Sequence, residues 1–155
     1  MTLRRFLILT LVLLILVPEA ATAQSGSGAH WLLMSRRTAG QGDLWALATD
    51  GPEAGTWLRL TATPDDERWP ALSPDGSQVV YAARRDRNWD LYLLDLASGE
   101  ERRLTDDPHY DGWPSWSPDG RTLVFASMRE ADLDIFTLDP GSGQVANLTS
   151  GSAAH

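Results

Sequence analysis

One period governs this chain. Ser73-Pro74-Asp75-Gly76 returns as Ser117-Pro118-Asp119-Gly120, an offset of 44 residues, and Trp69-Pro70 returns at the same offset as Trp113-Pro114. Leu60-Thr61, Leu104-Thr105 and Leu148-Thr149 are spaced 44 and 44. Asp90-Leu91-Tyr92 matches Asp134-Ile135-Phe136 at 44, and Asp43-Leu44-Trp45 is a third copy 47 residues earlier, the three extra residues falling in the 51–57 loop. Independent markers that hold one spacing imply a unit that is built repeatedly and stacked on itself, since so short a unit cannot bury its apolar residues alone.

Each unit reads as four short strands. The first is Trp-Pro-x-[Leu/Trp]-Ser, as over 113–117, and the second follows Ser-Pro-Asp-Gly, over 78–83 and 122–127. The third opens with Asp and an aromatic, over 90–95 and 134–139, and the fourth ends at Leu-Thr, over 101–105 and 144–149. Connections rich in Gly, Asp, Ser and Pro are hairpin chemistry. Pro74 and Pro118 preset φ for the second position of a type I turn, and Gly76 and Gly120 take the left-handed φ that follows. Ser73, Asp75, Ser117 and Asp119 are therefore turn formers, with the carboxylates bonding nearby backbone N–H groups rather than doing catalysis. Strand interiors such as Val79-Val80-Tyr81-Ala82-Ala83 and Leu123-Val124-Phe125-Ala126 are apolar on both faces, where a sheet with one wet face would alternate. Sheets covered on both sides by other sheets, with four strands per repeat of about 40–45 residues, are blades of a β-propeller. The expected fold class is all-β: blades of four antiparallel strands, about three of them, in a partial, open propeller with repeats near 31–61, 69–105 and 113–149.

Trp-Pro-x-x-Ser-Pro-Asp-Gly, an apolar strand, Asp-[Leu/Ile]-[Tyr/Phe] and Leu-Thr together resemble the TolB-type (WD40-like) β-propeller repeat, over essentially all of residues 31–149. The resemblance implies that the first strand of each blade lines a central channel. It also implies that loops after the fourth strand (62–68, 106–112) and between the second and third (38–42, 84–89, 128–133) share one face, usually the ligand face.

The N-terminus reads as an address. Arg4 and Arg5 precede an apolar run from Phe6 to Val17, and Ala21-Thr22-Ala23 supplies a small-x-small cleavage pattern before Gln24. Twelve residues fall short of the ~20 that span a bilayer as a helix. A cleaved signal over 1–23, a leader over 24–30 and a periplasmic or secreted product are expected, with no membrane span after cleavage. The mature chain keeps eleven arginines against twenty acids, a formal charge of −9, which repels phosphate and argues against nucleic acid as partner. There is no cysteine, hence no disulfide, thiolate metal site or Cys nucleophile.

No Gly-x-Ser-x-Gly elbow, Walker loop, His-Glu-x-x-His or EF-hand loop occurs. The candidate contact residues lie in the expected face loops: Asp65, Asp66 and Glu67, then Asp106, Asp107, His109, Tyr110 and Asp111 one repeat later, and Trp89, which breaks the repeat pattern and is expected to be exposed. Trp69 and Trp113, at equivalent positions, are expected to pack inside. Arg36, Arg37, Arg84, Arg85, Arg87 and Arg129 follow each second strand and are expected to pair with Asp90 and Asp134. No cofactor is implied; the alternative is a calcium ion among the acidic loops, which would need six or more oxygens. His30, His109 and His155 are too sparse for a metal cluster.

Two functions fit. One is an exported, non-catalytic scaffold binding a protein, peptide or glycan on its loop face. The other is the propeller portion of a serine peptidase of the prolyl-oligopeptidase type, whose nucleophile would have to come from a further domain. The first repeat begins without a Trp-Pro strand, and only six residues follow Leu148-Thr149. A fragment of a longer propeller, with open blade faces prone to self-association, is therefore expected.

Overall fold

The computed structural model describes residues 30–38, 40–130 and 132–149. The expected signal and all of the leader but His30, together with His155, lie outside them. Eleven strands form three antiparallel sheets, and the described residues contain no helix. The first sheet is β1 (Trp31–Thr38), β2 (Gln41–Ala48) and β3 (Trp57–Arg59). The second is β4 (Asp66–Leu72), β5 (Gln78–Arg85), β6 (Asn88–Asp95) and β7 (Glu101–Arg103). The third is β8 (Asp111–Trp116), β9 (Leu123–Glu130), β10 (Asp132–Leu138) and β11 (Val145–Asn147). These are blades of a β-propeller. Among the described residues the second packs against both others while the first and third do not touch, so the arc is open.

The two-sided apolar strands explain the stacking. Val79, Tyr81, Ala83, Tyr92 and Leu94 face the first blade, where they meet Leu44, Leu33 and Leu60. Their neighbours Val80, Ala82, Leu91 and Leu93 face the third blade and meet Leu123, Phe125, Phe136 and Leu138. Each Val, Leu or Phe among them, buried, contributes about 1.5–3 kcal/mol. Cross-strand register supports the packing: Tyr81 lies opposite Tyr92 and Phe125 opposite Phe136.

The Ser-Pro-Asp-Gly turns have the expected chemistry. Gly76 N donates to Ser73 O at 2.9 Å with φ 76° at Gly76, and Gly120 N to Ser117 O at 2.9 Å with φ 70° at Gly120. Asp75 accepts from Ser73 Oγ at 2.6 Å and Asp119 from Ser117 Oγ at 2.6 Å, which locks both turns.

Strand limits differ from the sequence expectation at two places. The inner strands begin earlier, at Asp66 and Asp111, and carry a bulge at Trp-Pro where the pairing register shifts. There Trp69 and Trp113 adopt φ of 53° and 49°, in the left-handed region. The outer strands stop at Arg103 and Asn147, ahead of Leu-Thr, because the threonine leaves the ladder to serve another bond.

Candidate functional site

The carboxylates divide into two groups. Those opening each third strand are held from the fourth, Asp43 and Asp90 buried and Asp134 partly so: Arg59 to Asp43 at 2.8 Å, Arg103 to Asp90 at 2.7 Å, and Asn147 to Asp134 at 3.2 Å, three repeat-equivalent pairs. The expected pairing of Asp90 and Asp134 with arginines after the second strands is thus replaced by cross-strand partners. Two of those arginines reach the inner strand instead, and Arg85 the outer strand as well. Arg129 donates to Asp111 at 2.7 Å, and Arg85 reaches Asp65 at 3.0 Å, Glu67 at 4.0 Å and Glu101.

Glu67 and Asp111, named as contact residues, are fully buried at equivalent positions. Glu67 accepts from Thr61 and, at 2.7 Å, from Thr63. Burial pushes its carboxyl above the usual range, more than those hydrogen bonds and Arg85 lower it. Both residues belong to the frame beneath the loops. Asp65 and Asp66 are half-buried, Asp66 accepting from Arg68 at 2.6 Å and from the backbone of Gly42 at 3.0 Å. Among the described residues no group of three or more His, Asp or Glu is arranged to hold a metal ion.

Strands β4, β6 and β8, with the loop that enters β8, bring four aromatic rings together. Trp69 lies 5.4 Å from Trp89, 4.9 Å from Trp113 and 6.3 Å from Tyr110, and Tyr110 lies 5.5 Å from Trp113, centroid to centroid. Arg68 caps both Trp69 and Trp89, at 5.9 and 5.1 Å. The left-handed bulge at each Trp-Pro is the backbone feature shared by the two inner-strand tryptophans. Gly112 lets Tyr110 sit so close that a Cβ there would collide with the phenol ring. The Tyr110 hydroxyl is buried without a partner among the described residues, and burial pushes its pKa up to about 12, so it stays a donor at neutral pH.

Two tryptophans are placed differently from expectation. Trp113 is 50% exposed, because the blade stacking that covers Trp69 does not extend over it. Trp89 is partly buried, packed on the core and on Trp69. On the loop that leads to Tyr110 lie Asp106, exposed and 2.7 Å from Arg103, and His109, exposed, whose backbone N–H and ring nitrogen both reach Asp107 at 3.0 and 2.8 Å. Burial works against the Asp107 charge, but those bonds outweigh it and hold its pKa low. Chemically the arrangement offers a supported stacking surface, and the loop that carries Tyr110 also carries Asp106 and Asp107. Arg68 and Trp69 were not among the expected contact residues, although the repeated Trp-Pro marked Trp69 as special.

Known proteins share this architecture. Residues 38–155 match the family described as the tricorn protease N-terminal beta propeller domain. TolB from Acinetobacter baumannii superposes with a TM-score of 0.68 at 24% identity, over 78% of this chain and 30% of that one. A protein assigned as TolB from Agrobacterium tumefaciens superposes at 0.68 and 30% identity, over 77% and 42%. The tricorn protease itself gives 0.54 at 16% identity, over 72% and 10%. This chain therefore spans less than half the length of each of these structures. No curated protein matches it in sequence.

Proposed function

Because the chain belongs to the family of tricorn-protease N-terminal β-propeller domains, we propose that it works as an exported, non-catalytic binding scaffold, delivered to the periplasm or beyond by residues 1–23. The observation that carries this reading is the half-exposed Trp113 resting on Trp69 and Tyr110. Rigid aromatic surface with a polar rim is what dominates protein and peptide recognition, and it also suits glycans. The chain is net negative, and the loop that carries Tyr110 also carries Asp106 and Asp107. A cation over an indole gains about 0.5–2 kcal/mol, so a peptide segment bearing Arg or Lys fits best among the protein, peptide and glycan classes. The peptidase reading draws on puromycin hydrolase and tricorn protease, whose 24% and 16% identities carry the fold alone.

The test is a fluorescence titration of the purified chain with short Arg/Lys-rich peptides, Glu-rich peptides and neutral oligosaccharides. Saturable, salt-sensitive binding of the basic peptides, lost about tenfold or more in Trp113→Ala, is expected. Absence of saturable binding to every probe, or binding indifferent to Trp113→Ala, would refute the proposal.

A further inference from the structure

The two blade junctions differ at their outer rims. Between the second and third blades, Arg102 reaches across from β7 and donates to the Pro140 carbonyl at 2.8 Å. Strand alternation explains the direction. Glu101 turns back to Tyr81 and Arg85, so Arg102 turns forward, as Leu104 does where it packs on the core shared with the third blade. The guanidinium thereby ties an outer strand to the turn that follows β10.

Between the first and second blades the same place is open. Leu58 stands where Arg102 does, 44 residues earlier, too short to cross the junction and without a donor. What remains is a groove of about 180 Å³ whose walls include Leu58, Leu60, Leu94, Asp95, Leu96 and Gly99. The last five are the repeat equivalents of Leu104, Leu138, Asp139, Pro140 and Gly143. Groove and bridge are thus one position, open at one junction and spanned at the next. The inner strands take no part in either, so the three-stranded first sheet presents its full half.

The groove's chemistry selects what enters it. Four leucines supply apolar wall, and the polar groups are acceptors. Leu96 O is the equivalent of the carbonyl that Arg102 bonds, and among the described residues no hydrogen bond reaches it. Asp95 Oδ1 accepts from the Ser98 N–H and hydroxyl, both at 2.8 Å, and from the Ala97 N–H at 3.2 Å. These bonds hold the carboxyl below its usual range, so it stays charged, and among the described residues nothing donates to Oδ2. An aliphatic side chain would cover those acceptors without satisfying them, and a carboxylate would meet Asp95. A side chain with an apolar stem and several N–H donors at its tip suits both parts, as Arg102 does one repeat later.

We propose that this groove binds an arginine side chain of a partner protein, inserted between the first and second blades as Arg102 is between the second and third. The site shares no residue with the aromatic cluster and does not rest on the function proposed for it.

Amide chemical shifts of the purified chain, titrated with a capped Gly-Arg-Gly peptide and with capped Gly-Glu-Gly and Gly-Leu-Gly controls, test this. Saturable shifts at Leu60, Leu96 and Gly99 are expected with the arginine peptide alone. Leu58→Arg supplies the missing bridge from within and should abolish them, while Trp113→Ala should leave them intact. Arg102→Leu should open the second groove and add saturable shifts at Asp139 and Gly143. Groove amides that do not move, that move equally with the leucine peptide or that still respond in Leu58→Arg would overturn the proposal. So would an Arg102→Leu chain that gains no response, or shifts lost in Trp113→Ala, which would trace them to the aromatic cluster.

Discussion

Thr105 Oγ1 accepts the backbone N–H of Leu91 at 3.0 Å, and the bond recurs from Leu44 to Thr61 at 2.9 Å and from Ile135 to Thr149 at 3.1 Å. This is the physical reason for Leu-Thr at each repeat: the hydroxyl ties the third strand to the loop that leads to the next blade. Thr105→Ala orphans the amide of a fully buried residue and should cost about 1–3 kcal/mol, while Thr105→Ser should recover most of it. Urea unfolding of the two variants measures the difference. Equal losses would show that the hydroxyl is not what matters.

Gly112 and Tyr110 make a second prediction. A methyl at residue 112 would fall within the phenol ring, so Gly112→Ala should cost about 1–3 kcal/mol through overpacking and change the near-ultraviolet circular dichroism of the aromatic cluster. Added to Tyr110→Ala, the same substitution should cost much less, a non-additivity expected of touching residues. Additive losses would place Tyr110 elsewhere.

The turn at Asp86-Arg87 is a two-residue hairpin loop with φ of 50° and 68°, a conformation that favours Asn-Gly. Replacing the pair, Asp86→Asn with Arg87→Gly, should stabilise the chain by about 1 kcal/mol. Calorimetry showing no gain would mean that these residues make native contacts that offset the strain.

Glu67 and Glu101 predict opposite pH dependences. Burial raises Glu67 above its ordinary value of 4.5. The folded chain then holds that proton more tightly than the unfolded chain does, so its stabilising contribution is complete below 4.5 and is lost as pH rises through the folded value. Burial also opposes the Glu101 charge, but hydrogen bonds from Arg85 and Tyr81 prevail and lower its pKa; its contribution is present above 4.5 and lost as pH falls. Glu67→Gln should flatten the decline on the alkaline side and be more stable than the parent at neutral pH. Unfolding measured between about pH 4 and 8 checks the sign, and a variant that is less stable throughout would contradict it.

What the sequence made legible was whatever the repeat encodes locally. The Ser-Pro-Asp-Gly turns, the two-sided strands and the blade count all follow from residues close together in the chain. Burial at equivalent positions did not follow. Trp69 and Trp113 share a motif, yet only Trp69 lies under a neighbouring blade. Ion pairing was misassigned for a related reason: Arg103 reaches Asp90 because Arg103 pairs with Tyr92 across the sheet, and such register is invisible in linear spacing. Trp89, unmatched by its equivalents Gly42 and Leu133, fills space beside Trp69 that no repeat rule describes.

The binding account rests on Trp113, and one paired measurement on a single Trp113→Ala preparation tests it most directly: denaturant unfolding together with titration by a basic peptide. A side chain half in solvent should cost less than about 2 kcal/mol on truncation, against about 3–5 for a buried tryptophan. The account predicts that small loss together with binding weakened tenfold or more. A loss of 3–5 kcal/mol with binding unchanged would show that Trp113 serves the fold and that the contact surface lies elsewhere.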